Sequence, residues 1–68
     1  MEVIDLTGEP CPLNLVKFKY HFYNLKAFCC LVKNGEPVNG IVNFLQYKNA
    51  NFEMEEKGDC TLISVFEA

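Results

Sequence analysis

Pro12-Leu13-Asn14-Leu15-Val16-Lys17-Phe18-Lys19-Tyr20-His21-Phe22-Tyr23-Asn24-Leu25 satisfies two periodicities at once, and the choice between them decides the fold. At period two, Val16, Phe18, Tyr20 and Phe22 alternate with Lys17, Lys19 and His21, the pattern of a half-buried strand. At the helical period, Leu15, Phe18, Phe22 and Leu25 recur at spacings of three, four and three, with Val16, Tyr20 and Tyr23 in a second stripe beside them. Helix is the better reading. Pro12 suits a first helical position, where its φ is preset and its missing N–H is not needed. The stretch also has the length of a helix and few β-branched residues. This reading places Cys11 at the N-cap.

Upstream, residues 3–6 read as a short apolar strand closed by the turn-prone Thr7-Gly8-Glu9-Pro10. Downstream, residues 27–32 are a continuous apolar run of strand length, ended by Lys33-Asn34-Gly35 and suited to an inner strand under helices. A second helix enters at Glu36-Pro37. Val38, Ile41, Val42 and Leu45 line one side of it and Asn39, Asn43 and Gln46 the other, before 49–51 end it. Gly40 inside it costs about 1 kcal/mol relative to alanine. Phe52 and Met54 alternate with Glu53 and Glu55, which predicts a strand with one buried and one wet face. Lys57-Gly58-Asp59 is a hairpin turn leading to a return strand over 61–66. The expected fold is an α/β two-layer sandwich, β-α-β-α-β-β, a mixed four-stranded sheet with both helices on one face and a single domain over 1–68.

The chain has 68 residues, half of them hydrophobic, with six phenylalanines and three tyrosines, so a packed globule is expected. Folding at that size buries only about 60% of the unfolded chain's surface, which makes the core thin. Acids near the N-terminus do not fit a signal peptide and no apolar run reaches membrane-spanning length, so a cytoplasmic protein with no membrane association is expected. Its four cysteines are then expected as thiols. A formal charge of −3 offers no footprint for a phosphate backbone, so no direct nucleic-acid contact is expected.

Cys11 is the candidate reactive residue. Between Pro10 and Pro12 at a strand–loop–helix junction, it would meet unpaired amides and the positive end of a helix dipole, which favour the nucleophilic thiolate. A small hydrophobe plugging the junction is an equally good reading of the cysteine by itself. Cys29 and Cys30 are strand neighbours expected on opposite faces. Cys60 is expected to be structural, and the spacing of cysteines and the single histidine supports no metal site. His21 reads as a solvated or capping residue. The glutamates at 53, 55 and 56 with Asp59 read as a solvated acidic face.

The run Ile4-Asp5-Leu6-Thr7-Gly8-Glu9-Pro10-Cys11-Pro12-Leu13, with Lys17 beyond it, resembles the TusA/SirA-like sulfur-carrier family. That family's signature is an aspartate, a glycine three residues on, and Cys-Pro-x-Pro opening a helix. The resemblance implies that Cys11 accepts a persulfide sulfur from a cysteine desulfurase or rhodanese-like donor. The sulfur would pass to an acceptor sulfur-relay or tRNA-modifying enzyme, in sulfur or selenium metabolism, without a cofactor. It implies supporting positions at Asp5, Gly8, Pro12 and Lys17. Two features depart from the pattern: Asn14 stands where the second proline is expected, and residues 34–43 read as shorter and, beyond Glu36 at the helix entry, lack the acid expected early in the second helix. An N–H at Asn14 is expected to reach the Cys11 sulfur and stabilise the thiolate. Lys17, about 9 Å along the helix from Cys11, reads as a surface or partner-facing charge. Asp5 is expected to orient the loop or end the strand, and Gly8 to serve the turn. A non-catalytic interaction module of the same fold is the alternative function, with a thiol redox sensor as a third class.

Overall fold

The computed structural model describes residues 2–10 and 12–66. Its elements are β1 Glu2–Asp5, α1 Leu13–Asn24, β2 Phe28–Lys33, α2 Glu36–Tyr47, β3 Phe52–Lys57 and β4 Cys60–Val65. The sheet order is β1-β2-β4-β3. β1 and β2 are parallel, whereas β4 is antiparallel to both β2 and β3. β4 therefore separates two strands, β2 and β3, that run in the same direction. The two-layer α/β sandwich expected from periodicity is the fold.

One face of the sheet is covered. Phe28, Cys30 and Val32 of β2 and Thr61, Ile63 and Val65 of β4 are buried, while the alternating Cys29, Leu31, Leu62 and Ser64 are half-buried on the other side. From above, α1 contributes Phe18 and α2 contributes Ile41 and Leu45, all fully buried. The Phe18 ring lies 5.5 Å from that of Phe28 and 6.1 Å from that of Phe44, which ties both helices to the sheet. Full burial of such a side chain is worth roughly 1.5–3 kcal/mol relative to leaving it exposed.

The ambiguous stretch is helical, and the stripe Leu15, Phe18, Phe22 and Leu25 is its core face. Its beginning differs from expectation. The N-cap is Pro12, one residue later than expected; Asn14 N–H donates to the Pro10 carbonyl at 3.0 Å and Val16 N–H to that of Pro12 at 3.1 Å. The second stripe is outside the core, with Val16, Tyr20 and Tyr23 exposed.

β3 also departs from its pattern. Phe52 is half-buried, but Met54, expected on the buried face, is 51% exposed. β3 is an edge strand beyond the cover of the helices, so its pleat alternates without either face being closed. Its charged side chains discourage further strand pairing there.

Candidate functional site at the carboxyl ends of the parallel strands

Because β1 and β2 are parallel, the loop after β1 and the loop after β2 emerge at the same end of the sheet. The β3–β4 turn joins them, since Lys33 at the end of β2 pairs with Cys60 at the start of β4. The carboxyl ends of parallel strands are where α/β folds gather ligand-binding loops. Cys11 lies outside the described residues, but the segments before and after it are held by named bonds.

Before it, Asp5 Oδ1 accepts hydrogen bonds from Thr7 N–H at 2.9 Å and from Thr7 Oγ1 at 2.6 Å. These bonds, the side-chain one first, hold the Asp5 carboxyl below its ordinary pKa. Of its two expected roles, Asp5 takes that of orienting the loop. Glu9 N–H then donates to Leu6 C=O at 3.2 Å, closing a turn through Thr7 and Gly8. Gly8 lies within that turn, in a conformation that does not itself demand glycine. Its φ is not positive, and a Cβ added there would meet nothing within 4 Å.

After it, Pro12 caps α1 without a side-chain bond, and no acid occupies the first turn to offset the helix dipole. Asn14 lies in the first turn of the helix. Its N–H donates to the Pro10 carbonyl at 3.0 Å, and its expected approach to the Cys11 sulfur lies outside the described residues. Asn14 is buried, and its Oδ1 accepts from Leu15 N–H at 2.7 Å, satisfying a first-turn donor from within the helix. Lys17 is a surface charge, as expected. It reaches back to Glu9, Nζ to Oε1 2.6 Å, and bridges the two sides of the loop.

The second loop rests on a residue that pattern reading passed over as a turn. Asn34 N–H donates to Asp59 C=O at 3.0 Å, its Nδ2 donates to Gly58 C=O at 3.1 Å, and its Oδ1 accepts from Thr61 Oγ1 at 2.5 Å. Asparagine before a glycine is a turn signal, but its partners are distant in sequence and invisible to spacing. Beside it, Asn34, Gly35, Val38, Asn39, Glu56 and Thr61 line an open cleft of about 240 Å³.

The other thiols have structural surroundings. Cys29 and Cys30 face opposite sides of the sheet as expected, with Cys29 Sγ 3.3 Å from Ser64 Oγ. Burial, reinforced by the neighbouring Cys29, pushes the Cys30 thiol up to about 12, leaving it protonated and unreactive. Cys60 is half-buried at the start of β4. Among the described residues no three His, Cys, Asp or Glu side chains are grouped to hold a metal, and no helix is long and apolar enough to cross a membrane. No family model, curated protein or solved structure matches the chain.

Proposed function

We propose that the chain is a sulfur carrier that loads a persulfide on Cys11. The observation that carries this reading is the convergence at one end of the sheet of the Asp5–Thr7 turn, the Glu9–Lys17 bridge and the acid-free first turn of α1. In sequence, Cys11 stands between Glu9 and Lys17, the two ends of the bridge, and just before that turn. The motif that resembles the family lies in this loop, within a β-α-β-α-β-β fold of the kind the resemblance implies.

The step is a sulfane transfer without net oxidation. The Cys11 thiolate attacks the terminal sulfur of a donor persulfide, a new S–S bond forms to Cys11, and the donor's own S–S bond breaks as its thiolate leaves. The proton of the persulfide stays with the transferred sulfur. An acceptor nucleophile repeats the exchange and regenerates the Cys11 thiolate. A protein donor of the cysteine desulfurase or rhodanese type and a sulfur-relay or tRNA-modifying acceptor are the matching partners, in the cytoplasm.

The test is mass spectrometry after incubation with a cysteine desulfurase and cysteine. The peptide containing Cys11 gains one sulfur atom, and Cys11→Ser, folded as the parent, gains none. A protein that gains no sulfur, or a Cys11→Ser variant that still does, defeats the reading. Formation of a disulfide would favour a redox sensor.

A further inference from the structure

The chain's net negative charge conceals a sharp segregation. Between Pro10 and Phe52 the only acid is Glu36; every other acid lies at or before Glu9 or at or after Glu53. The acids of the described strands are Glu2, Asp5, Glu53, Glu55 and Glu56. The helical layer carries lysines and exposed aromatic rings. Tyr20 and Tyr23 are each 64% exposed and Tyr47 81%, an unusual share for rings in so small a protein.

These residues form one patch across the two helices. Phe44 of α2 lies 6.3 Å from the Tyr23 ring of α1. Lys19 Nζ sits 5.1 Å from the centre of the Phe44 ring. Lys48 Nζ sits 5.5 Å from the Tyr23 ring, 5.6 Å from Tyr47 and 5.9 Å from Phe44. Tyr20 lies one turn from Tyr23 on the same outer stripe. Such cation–π contacts hold the ammonium groups in place over the rings while leaving their outward N–H donors for a further partner.

We infer that this outer surface of α1 and α2 docks an acidic protein segment bearing apolar side chains. Charge complementarity names the occupant: carboxylates meet Lys19 and Lys48, and apolar groups cover Tyr20, Tyr23 and Tyr47. Tyrosine supplies large contact area with a polar tip, as protein interfaces favour. The same balance of charge disfavours single-stranded nucleic acid. Two lysines on a chain of formal charge −3 are too small an electrostatic footprint for a phosphate backbone but match the few carboxylates of a short acidic segment. The surface is separate from the Cys11 loop, and the inference stands whether or not that cysteine carries sulfur.

The test is an NMR titration of the whole chain with three probes: a short peptide of glutamate and leucine, its lysine-for-glutamate counterpart, and oligouridylate. The acidic peptide should shift the amides around Lys19, Tyr20, Tyr23, Tyr47 and Lys48, equally in Cys11→Ser, while the basic peptide leaves them unmoved. Lys19→Glu with Lys48→Glu should weaken binding about tenfold or more. Lys19→Gln with Lys48→Gln should weaken it less, and circular dichroism should show both variants folded. The inference is overturned if the acidic peptide shifts nothing or shifts the sheet face instead, or if oligouridylate binds more tightly than the peptide. Concentration-dependent self-association abolished by the double variant would also overturn it, because the occupant would then be a second copy.

Discussion

Lys17 and Glu9 form an ion pair, Nζ to Oε1 2.6 Å, that ties the first full turn of α1 to the loop before it. Neither side chain is deeply buried, so the bridge orders the loop more than it stabilises the fold. Lys17→Met should change unfolding free energy by less than about 1 kcal/mol. A double-mutant cycle with Glu9→Gln measures the pair directly, and a coupling well above that value would show that the bridge is structural.

Asn14→Ala should cost about 1–2 kcal/mol, since it leaves the Leu15 N–H at the start of a buried helix turn without its 2.7 Å acceptor. Denaturant titration gives the value. Asn14→Asp keeps the acceptor and is expected to recover much of the loss.

How much of this was legible beforehand follows from the range of each signal. Periodicity carries the elements: Leu15, Phe18 and Phe22 define α1 and Val38, Ile41 and Leu45 define α2, because helix geometry alone brings them to one side. It does not report how far a covering layer extends, which is why Met54 is exposed on a strand that alternates correctly. Asn34 escaped notice because its side-chain partners Gly58 and Thr61 are 24 and 27 residues away. At the loop, residue types were readable but bond assignments were not. Which carbonyl the Asn14 N–H meets depends on the first-turn geometry around Pro10 and Pro12.

Gly40→Ala should stabilise the protein by about 1 kcal/mol, the difference in helix propensity. An added Cβ would meet only Leu15 Cδ2, at 4.0 Å, an ordinary contact. A raised thermal midpoint is the readout; a lowered one would mean that the helices pack more closely there than this spacing allows.

Asn34→Ala removes two side-chain hydrogen bonds between the β2–α2 loop and the hairpin. It should cost about 1–2 kcal/mol, discounted for the residue's exposure. Faster amide exchange at Gly58 and Thr61 than in the parent would localise the effect, and unchanged exchange there would refute the staple.

Cys30 makes the fold sensitive to alkali. Its thiol is raised from 9.0 to about 12 in the folded state, so between those values the unfolded chain has released a proton that the native chain retains. The sign is destabilising: stability falls with rising pH through this window, by up to about 1.4 kcal/mol per unit. It is unaffected by this group below the lower value. Urea titrations of the parent and Cys30→Val across the window should diverge in slope, and parallel slopes would contradict the assignment.

The position of β4 between β2 and β3 has a consequence for how the molecule is made. A ribosome releases β1, α1, β2, α2 and β3 before it releases the strand that joins β3 to the rest. Until then Phe28, Phe18 and Leu45 lack the cover of Ile63 and Val65, and β3 has no neighbour in the sheet. Vectorial synthesis thus exposes an open apolar wedge, and closure waits for a non-local pairing whose loop entropy must be met all at once. Nascent chains stalled after β3 are therefore the species most exposed to non-native association.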